Sequence, residues 1–205
     1  MSDSALPGAA QRFKLGILDD NPTYRQLLGM CPTLAVTATL AGAVTMGAAT
    51  AFVLIMANIV VSMLRGVLKG HLRILVFTLT IATFVTIVDR VLAAQFYAMS
   101  QRLGPYVPLI IVNCIIICRA EVCASQQNVG VAIADAVGQG CGFLAGLVSI
   151  AAVREILATG CLFESVRVLP VWWPNWAVMQ GPAGAFITLG LLMGLVNWLS
   201  TRKKT

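Results

Sequence analysis

Long apolar stretches separated by short polar clusters dominate the pattern of the chain. Residues 26–64 contain 39 positions without a single charge. As one helix this stretch would be roughly 58 Å long, whereas the hydrocarbon core of a bilayer is about 30 Å thick. We therefore predict two membrane elements here, a short one at Leu27–Leu40 and a longer one at Val44–Leu64, with a turn near Ala41–Gly42.

Four further apolar elements follow along the chain, at Ile74–Tyr97, Tyr106–Cys118, Val131–Val153 and Gly181–Ser200. The first and fourth of the six elements are too short for an ordinary span, and each opens a group of one short and two long elements. A unit with three crossings inverts when it is repeated once. The pattern predicts an all-α integral membrane protein with six transmembrane elements, arranged as two inverted three-helix repeats whose first elements are half-helices.

These elements give the predicted domain organisation. An N-terminal cytoplasmic segment covers residues 1–25, a six-span membrane domain covers 26–200, and a basic cytoplasmic tail covers 201–205. Within the membrane domain, repeat one covers about 26–99 and repeat two about 104–200.

Composition supports the membrane assignment. The chain is 59% hydrophobic and 11% charged, whereas soluble domains carry about 25% charged residues. Too few polar residues remain to cover a soluble globule, which argues against a soluble enzyme, a nucleic-acid-binding domain and a disordered chain. The net charge of +6 comes from small clusters between the apolar runs, and in membrane proteins such clusters report topology.

The distribution of lysine and arginine predicts the orientation. With both termini in the cytoplasm of a bacterial cell, ten cations lie on the inner side of the inner membrane and four lie outside, which agrees with the positive-inside rule. The inner set comprises Arg12, Lys14, Arg25, Arg65, Lys69, Arg73, Arg119, Arg202, Lys203 and Lys204; the outer set comprises Arg90, Arg102, Arg154 and Arg167.

Each short element carries a cysteine. Cys31 lies six residues after Arg25, and Cys114 lies five residues before Arg119, which places them roughly 9 Å and 7–8 Å from the cytoplasmic side. The similar depths would let both sulfurs face one site, and Pro32 as first helical residue would put Cys31 at a helix N-terminus, which favours a thiolate. The competing interpretation is that both are small residues in helix packing.

A site with four thiolates needs two further ligands, from Cys118 and Cys123 if the chain bends back, or from a partner protein. The remaining cysteines, Cys141 and Cys161, lie in the fifth span and the outer loop and are not expected to bind metal.

Few ionisable side chains lie within the apolar elements. Asp135 in the fifth and Asp89 in the third are candidates for an ion path, because an intramembrane carboxylate is costly. Asp89 has the ordinary alternatives of a local pair or the outer interface, and Asp135 lies close to the cytoplasmic end. For Arg119 and Glu121 the sequence favours a local ion pair.

Several segments resemble the NqrD/RnfE family of membrane subunits. They are Leu-Leu-Gly-Met-Cys-Pro within 21–37, Asn-Cys-Ile-Ile-Ile-Cys-Arg-Ala-Glu within 108–121, Arg-Glu-Ile-Leu at 154–157 and Gly-Pro-Ala-Gly-Ala-Phe-Ile at 181–187. The Cys-Pro pair and the start of the last span are more similar to the E subunits of Rnf electron-transport complexes than to the D subunits of sodium-pumping quinone reductases.

The resemblance implies a six-span subunit built from inverted repeats that pairs with a homologous A-type subunit of opposite orientation. It implies that Cys31 and Cys114 supply half of the ligands of a membrane-embedded 2Fe-2S cluster shared by the two subunits. The complex would be a redox-driven translocase that links electron transfer between ferredoxin and NAD to sodium or proton movement. Flavins and further clusters would lie on other subunits, and this chain would not be catalytic alone.

Two other function classes remain at this point. A secondary transporter also fits inverted repeats with broken helices, although the sequence offers few polar residues for a binding site at mid-membrane. A scaffold role fits the composition but does not require cysteines at matched depth.

Overall fold

The computed structural model describes residues 21–64, 72–162, 166–167 and 177–202. Within these residues the structure is helical except for one ladder of two-residue strands, β1 and β2, which the prediction of an all-α chain does not include. The helices are α1 (Met30–Val36), α2 (Leu40–Leu64), α3 (Arg73–Gln95), α4 (Tyr97–Leu103), α5 (Cys114–Arg119), α6 (Val129–Thr159), α7 (Ala177–Gln180) and α8 (Pro182–Arg202); β1 is Cys161–Leu162 and β2 is Val166–Arg167.

Four helical segments of the described chain are long and apolar enough to cross a membrane. They are α2, α3, the composite segment Val107–Ala124 and α6; α8 adds a shorter apolar stretch at Pro182–Trp198. The composite segment consists of a 3₁₀ turn at Val107–Ile110, then α5, then a π-helical turn at Ala120–Ala124. The prediction of a membrane protein is confirmed, and both elements predicted to be short contain a short helix.

The centre of the molecule is an antiparallel pair formed by α2 and α6. Small residues line their interface: Gly47 lies against Leu144 and Leu147, and Gly140 lies against Ala51. Small residues allow two helices to approach closely in a bilayer, where van der Waals packing drives association.

The half-helices dock crosswise. Helix α1, from the first half of the chain, packs on α8 from the second half, and α5 from the second half packs on α3 from the first half. Each half-helix also contacts the central helix α2. The two halves are therefore intertwined rather than packed as separate lobes.

The first turn lies a few residues earlier than predicted. Helix α1 ends at Val36 and α2 begins at Leu40, before Gly42. The reason is a long-range cap, because the Leu40 backbone N–H donates to Glu155 Oε2 at 2.7 Å. This contact satisfies one of the free N–H groups at the start of a helix, and no local pattern encodes it.

Two of the cations used for the orientation prediction are buried. Arg119 and Arg154 are 8% and 1% exposed, so counting them as loop residues was wrong. One belongs to each side of the count, so the inner excess is unchanged. The cations at residues 1–20, 65–71 and 203–205 lie outside the described residues, as does the loop at 168–176, and Arg167 is described in its backbone alone.

Candidate functional site

A folded turn at residues 21–29 leads into the half-helix that carries Cys31. Asn21 Oδ1 accepts hydrogen bonds from the N–H groups of Thr23 and Tyr24 at 3.0 and 3.3 Å. Its Nδ2 donates to the Gly142 carbonyl in α6 at 3.3 Å. The chain therefore turns back against the middle of α6 before α1 begins.

Gly29 is the N-cap of α1 and adopts the left-handed conformation, with φ +78°. A Cβ at this position would collide with the ring of Phe143 in α6. Both facts require glycine here. Cys31 is the second residue of α1 and Pro32 the third, so Pro32 is not the first helical residue as predicted, although Cys31 does lie in the first turn.

Cys114 is the first residue of α5. Asn113 precedes it as the N-cap in extended conformation, and its side chain accepts a hydrogen bond from Ile115 N at 3.3 Å. Asparagine is among the preferred N-cap residues because its oxygen satisfies a free N–H of the first turn. The cap ends the 3₁₀ turn and starts a new helix at the cysteine.

The two cysteine segments meet. The Gly29 backbone N–H donates to Cys114 Sγ at 2.9 Å, and Gly29 is two residues from Cys31. Both cysteines are free and exposed on the surface of the chain. No group of three or more potential metal-ligating side chains occurs in the described part of the molecule.

The contact between the two cysteine segments lies beside the middle of α6. Gly29 is level with Phe143, the fifteenth of the 31 residues of α6, and hence near the middle of the helix. Arg119, one of the two cations from which the depth was counted, belongs to α5 and not to a loop. Arg119 is buried, and Arg25 lies beside Met193 and Asn197, five or more residues before α8 ends.

The other cysteines differ in burial and surroundings. Cys118 is half-buried and lines a crevice with Arg73, Phe77 and Glu121. Cys123 is buried and Cys141 is exposed on α6, while the side chain of Cys161 is outside the described part of the structure.

Asp135 has a buried cationic neighbour. Arg119 Nε lies 3.8 Å from Asp135 Oδ2, and the two side chains are 10% and 4% exposed. Glu121 instead pairs with Arg73, at 3.3 Å. The predicted local pair of Arg119 with Glu121 is therefore wrong; each residue reaches a different helix. Asp89 is half-buried on α3, so the two predicted carboxylates are not brought together.

Sequence reasoning missed the role of Arg154 and Glu155. Arg154 donates from Nε to the Met179 carbonyl at 3.1 Å and from Nη2 to the carbonyls of Gln180 and Gly181, both at 3.0 Å. Glu155 caps α2. The sequence did contain a signal for this role, because Arg154 and Glu155 are adjacent charges within an otherwise apolar helix. Buried charges in such a helix must be paired.

Comparison with known proteins gives a consistent result. The family model described as "Rnf-Nqr subunit, membrane protein" matches residues 9–193. The chain is 45% identical to the E subunit of the Na+-translocating ferredoxin:NAD+ oxidoreductase complex of Acetobacterium woodii, over 89% of this chain and 93% of that protein.

Two further relatives are named as E subunits of ion-translocating oxidoreductase complexes. One is from Methanosarcina acetivorans, 42% identical over 93% of this chain and 91% of the relative. The other is from Shewanella amazonensis, 43% identical over 91% and 86%. The predicted resemblance is confirmed, and the chain belongs to the Rnf-Nqr family of membrane subunits.

Proposed function

We propose that this chain is the E-type membrane subunit of an ion-translocating ferredoxin:NAD oxidoreductase complex, and that it takes part in carrying electrons through the membrane. The names of its relatives support the complex, and the apolar helices support the membrane location. The observation that carries the redox role is the contact between Gly29 and Cys114 Sγ, which joins the two cysteine segments.

The residues present fit half of a 2Fe-2S site. Such clusters are held by four cysteine thiolates, and Cys31 and Cys114 would supply two of them. Both are exposed at the protein surface, where a second protein of the complex can add two more ligands. A hydrogen bond from backbone N–H to sulfur is one of the features that tune such clusters, and Cys114 already accepts one.

When bound, the cluster would supply a one-electron carrier within the hydrocarbon layer, which otherwise insulates against electron transfer. The chain's own residues position the ligand candidates. The Gly29 N–H donates to Cys114 Sγ, and Asn113 caps the helix that begins with Cys114. The ring of Phe143 packs against the backbone of Gly29. Further clusters and flavins belong to other subunits in this proposal.

The partner in this proposal is a homologous A-type subunit of opposite orientation. The antiparallel α2–α6 pair and the crosswise docking of α1 on α8 and α5 on α3 support two inverted repeats within this chain, because a two-fold axis in the membrane plane would generate such contacts. The proposed partner repeats the same relation between two chains. Both termini face the cytoplasm of a bacterial inner membrane, an orientation supported by the excess of inner cations.

Asp135 is the first candidate for the ion path, and Asp89 the second. Asp135 is supported by its burial and by its position on α6 beside Arg119. A cation that approaches Asp135 would compete with Arg119 for the same carboxylate. Ion entry at this pair would therefore be coupled to the charge balance between Asp135 and Arg119.

The experiment replaces single cysteines in the purified complex. Cys31→Ser and Cys114→Ser should each remove the visible and EPR signals of one 2Fe-2S cluster and stop ferredoxin-driven ion uptake. Cys141→Ser is the matched control, because Cys141 is also exposed but lies on α6 rather than in either half-helix. A normal cluster spectrum in Cys31→Ser would contradict the proposal and leave the transporter and scaffold functions.

A further inference from the structure

A line of hydrogen bonds, joined through the covalent structure of Thr33 and Gly29, runs from the end of α6 to Cys114. Arg154 Nη1 donates to Thr37 Oγ1 at 2.6 Å, and Thr37 Oγ1 donates to the Thr33 carbonyl. Thr33 Oγ1 then donates to the Gly29 carbonyl at 2.8 Å. Gly29 N–H closes the line on Cys114 Sγ at 2.9 Å.

All members of this line except the exposed Cys114 are shielded from water. Thr33, Thr37 and Arg154 are 1%, 0% and 1% exposed. In a low-dielectric interior each such hydrogen bond is stronger, and no solvent is available to replace it. The far end is also fixed, because the remaining donors of Arg154 bind three carbonyls around α7 and the start of α8.

The line passes through Gly29, whose conformation no side chain of its own restrains. Gly29 is in the left-handed region, and glycine has more backbone freedom than any other residue. Its carbonyl receives two donors from the same residue, Thr33 N at 3.3 Å and Thr33 Oγ1 at 2.8 Å. Clamping the carbonyl fixes the backbone on one side of Gly29, so that its N–H points at the sulfur.

We propose that Thr33, Thr37 and Arg154 are positioning residues that hold the Gly29 N–H on Cys114 Sγ and thereby raise the reduction potential of the group bound there. This inference rests on the proposed function. One-electron reduction adds a negative charge, part of which lies on the cysteine sulfur. A well-aligned N–H donor stabilises that charge, and hydrogen bonds to the sulfurs are among the determinants of cluster potential.

The test is a redox titration of the purified complex followed by EPR. Thr33→Val keeps the shape of the side chain and removes its donor. We expect the reduced-to-oxidised ratio of the cluster at a fixed potential to fall about tenfold, equivalent to a downward shift of about 59 mV for a one-electron couple. Thr37→Val and Arg154→Gln should shift the potential in the same direction. Thr33→Ser keeps the hydroxyl donor and should retain the native potential.

Two threonines provide matched controls. Thr50 and Thr188 are also buried, and each donates to the carbonyl four residues earlier at 2.8 Å, but neither belongs to the line. Thr50→Val and Thr188→Val lose an equivalent hydrogen bond, so they report the effect of general destabilisation. Their cluster potentials should equal that of the native complex.

A second readout observes the hydrogen bond itself. In a complex labelled with ¹⁵N-glycine, pulsed EPR should detect a nitrogen coupled to the reduced cluster. That coupling should weaken in Thr33→Val and persist in Thr50→Val. It depends on the distance and angle of the donor rather than on turnover.

The outcomes separate this inference from the proposed function. An intact cluster with native potential and native coupling in Thr33→Val and Thr37→Val overturns the positioning role while leaving the cysteine assignment in place. A cluster that survives in Cys114→Ser overturns the assignment itself. If Thr33→Val assembles no cluster, Arg154→Lys, which retains a charge but fewer donors, must show an intermediate downward shift; a native potential there overturns the inference.

Discussion

At the scale of single residues, Gly29 is the residue whose backbone geometry the candidate cysteine site requires most. Gly29 combines a left-handed backbone, a hydrogen bond to Cys114 Sγ and contact with Phe143. A side chain at this position conflicts with two of these features at once. The Gly-Met-Cys-Pro sequence therefore couples the geometry of the turn to the position of the metal-ligand candidates.

Gly29→Ala should displace the turn and lower the cluster content of the complex. The left-handed conformation alone costs an L-residue about 1–2 kcal/mol, and the contact with Phe143 adds a steric penalty. Iron content and thermal unfolding measure the effect. Gly190→Ala is the control, because nothing lies within 4 Å of a Cβ there.

The double variant Gly29→Ala with Phe143→Leu should recover part of the loss by relieving the steric term alone. Full recovery would show that the backbone conformation at Gly29 is unimportant, and no loss in Gly29→Ala would show that the turn is not closely packed on α6.

Asp135→Asn should destabilise the complex, because it leaves the buried Arg119 without its counter-charge. Removing one partner of a buried pair costs about 3–5 kcal/mol. Asp89→Asn, on the half-buried Asp89, should change the melting temperature little.

The double variant Asp135→Asn with Arg119→Gln separates structure from transport. If Asp135 serves only as a structural partner, removing both charges restores stability and ion uptake together. If Asp135 belongs to the ion path, stability returns while ion uptake stays low. Native stability of Asp135→Asn alone would show that the pair is unimportant.

At the scale of the helices, the sequence predicted both ends of α3 and α8 to within two residues. It placed the start of α2 four residues late and the end of α6 six residues early. All six apolar elements contain a described helix, because burial in a bilayer requires long runs of apolar residues whatever the tertiary contacts. Two helix starts depend on particular capping groups. The Glu155 side chain on α6 caps the start of α2, and the Asn113 side chain caps the start of α5. Only the second of these is a local cap that a sequence pattern can reveal.

Glu155→Ala should destabilise the start of α2, because it leaves the Leu40 N–H without its acceptor. An unsatisfied buried donor costs about 1–3 kcal/mol. Hydrogen exchange of the Leu40 amide and the melting temperature of the complex report the change. Glu155→Gln retains an acceptor oxygen and should lose less; equal losses in the two variants would show that charge rather than the cap is the important feature.

At the scale of the whole molecule, each half-helix packs on a helix from the other half of the chain, and the two cysteine segments meet. Cys31 and Cys114 are 83 positions apart in sequence, yet Gly29 donates to Cys114. The sequence predicted that the pair shares a site, and the depth of that site in the membrane stays a prediction. Arg119, which was used as a marker of the cytoplasmic side, is buried beside Asp135.

The orientation of the molecule is tested with reporter fusions. A fusion after Thr205 should report a cytoplasmic location, and one within residues 168–176 should report a periplasmic location, because they flank an odd number of predicted crossings. A periplasmic signal at the C-terminus would contradict the six-element topology or its placement.

The most direct test of the central claim is the structure of the assembled complex, with the iron located by anomalous scattering or by electron cryo-microscopy density. We expect one 2Fe-2S cluster bound by the sulfurs of Cys31 and Cys114 and by two sulfurs from a second membrane protein of the complex, level with the middle of α6. Iron bound elsewhere, or Cys31 and Cys114 in an assembled complex without metal between them, would contradict it.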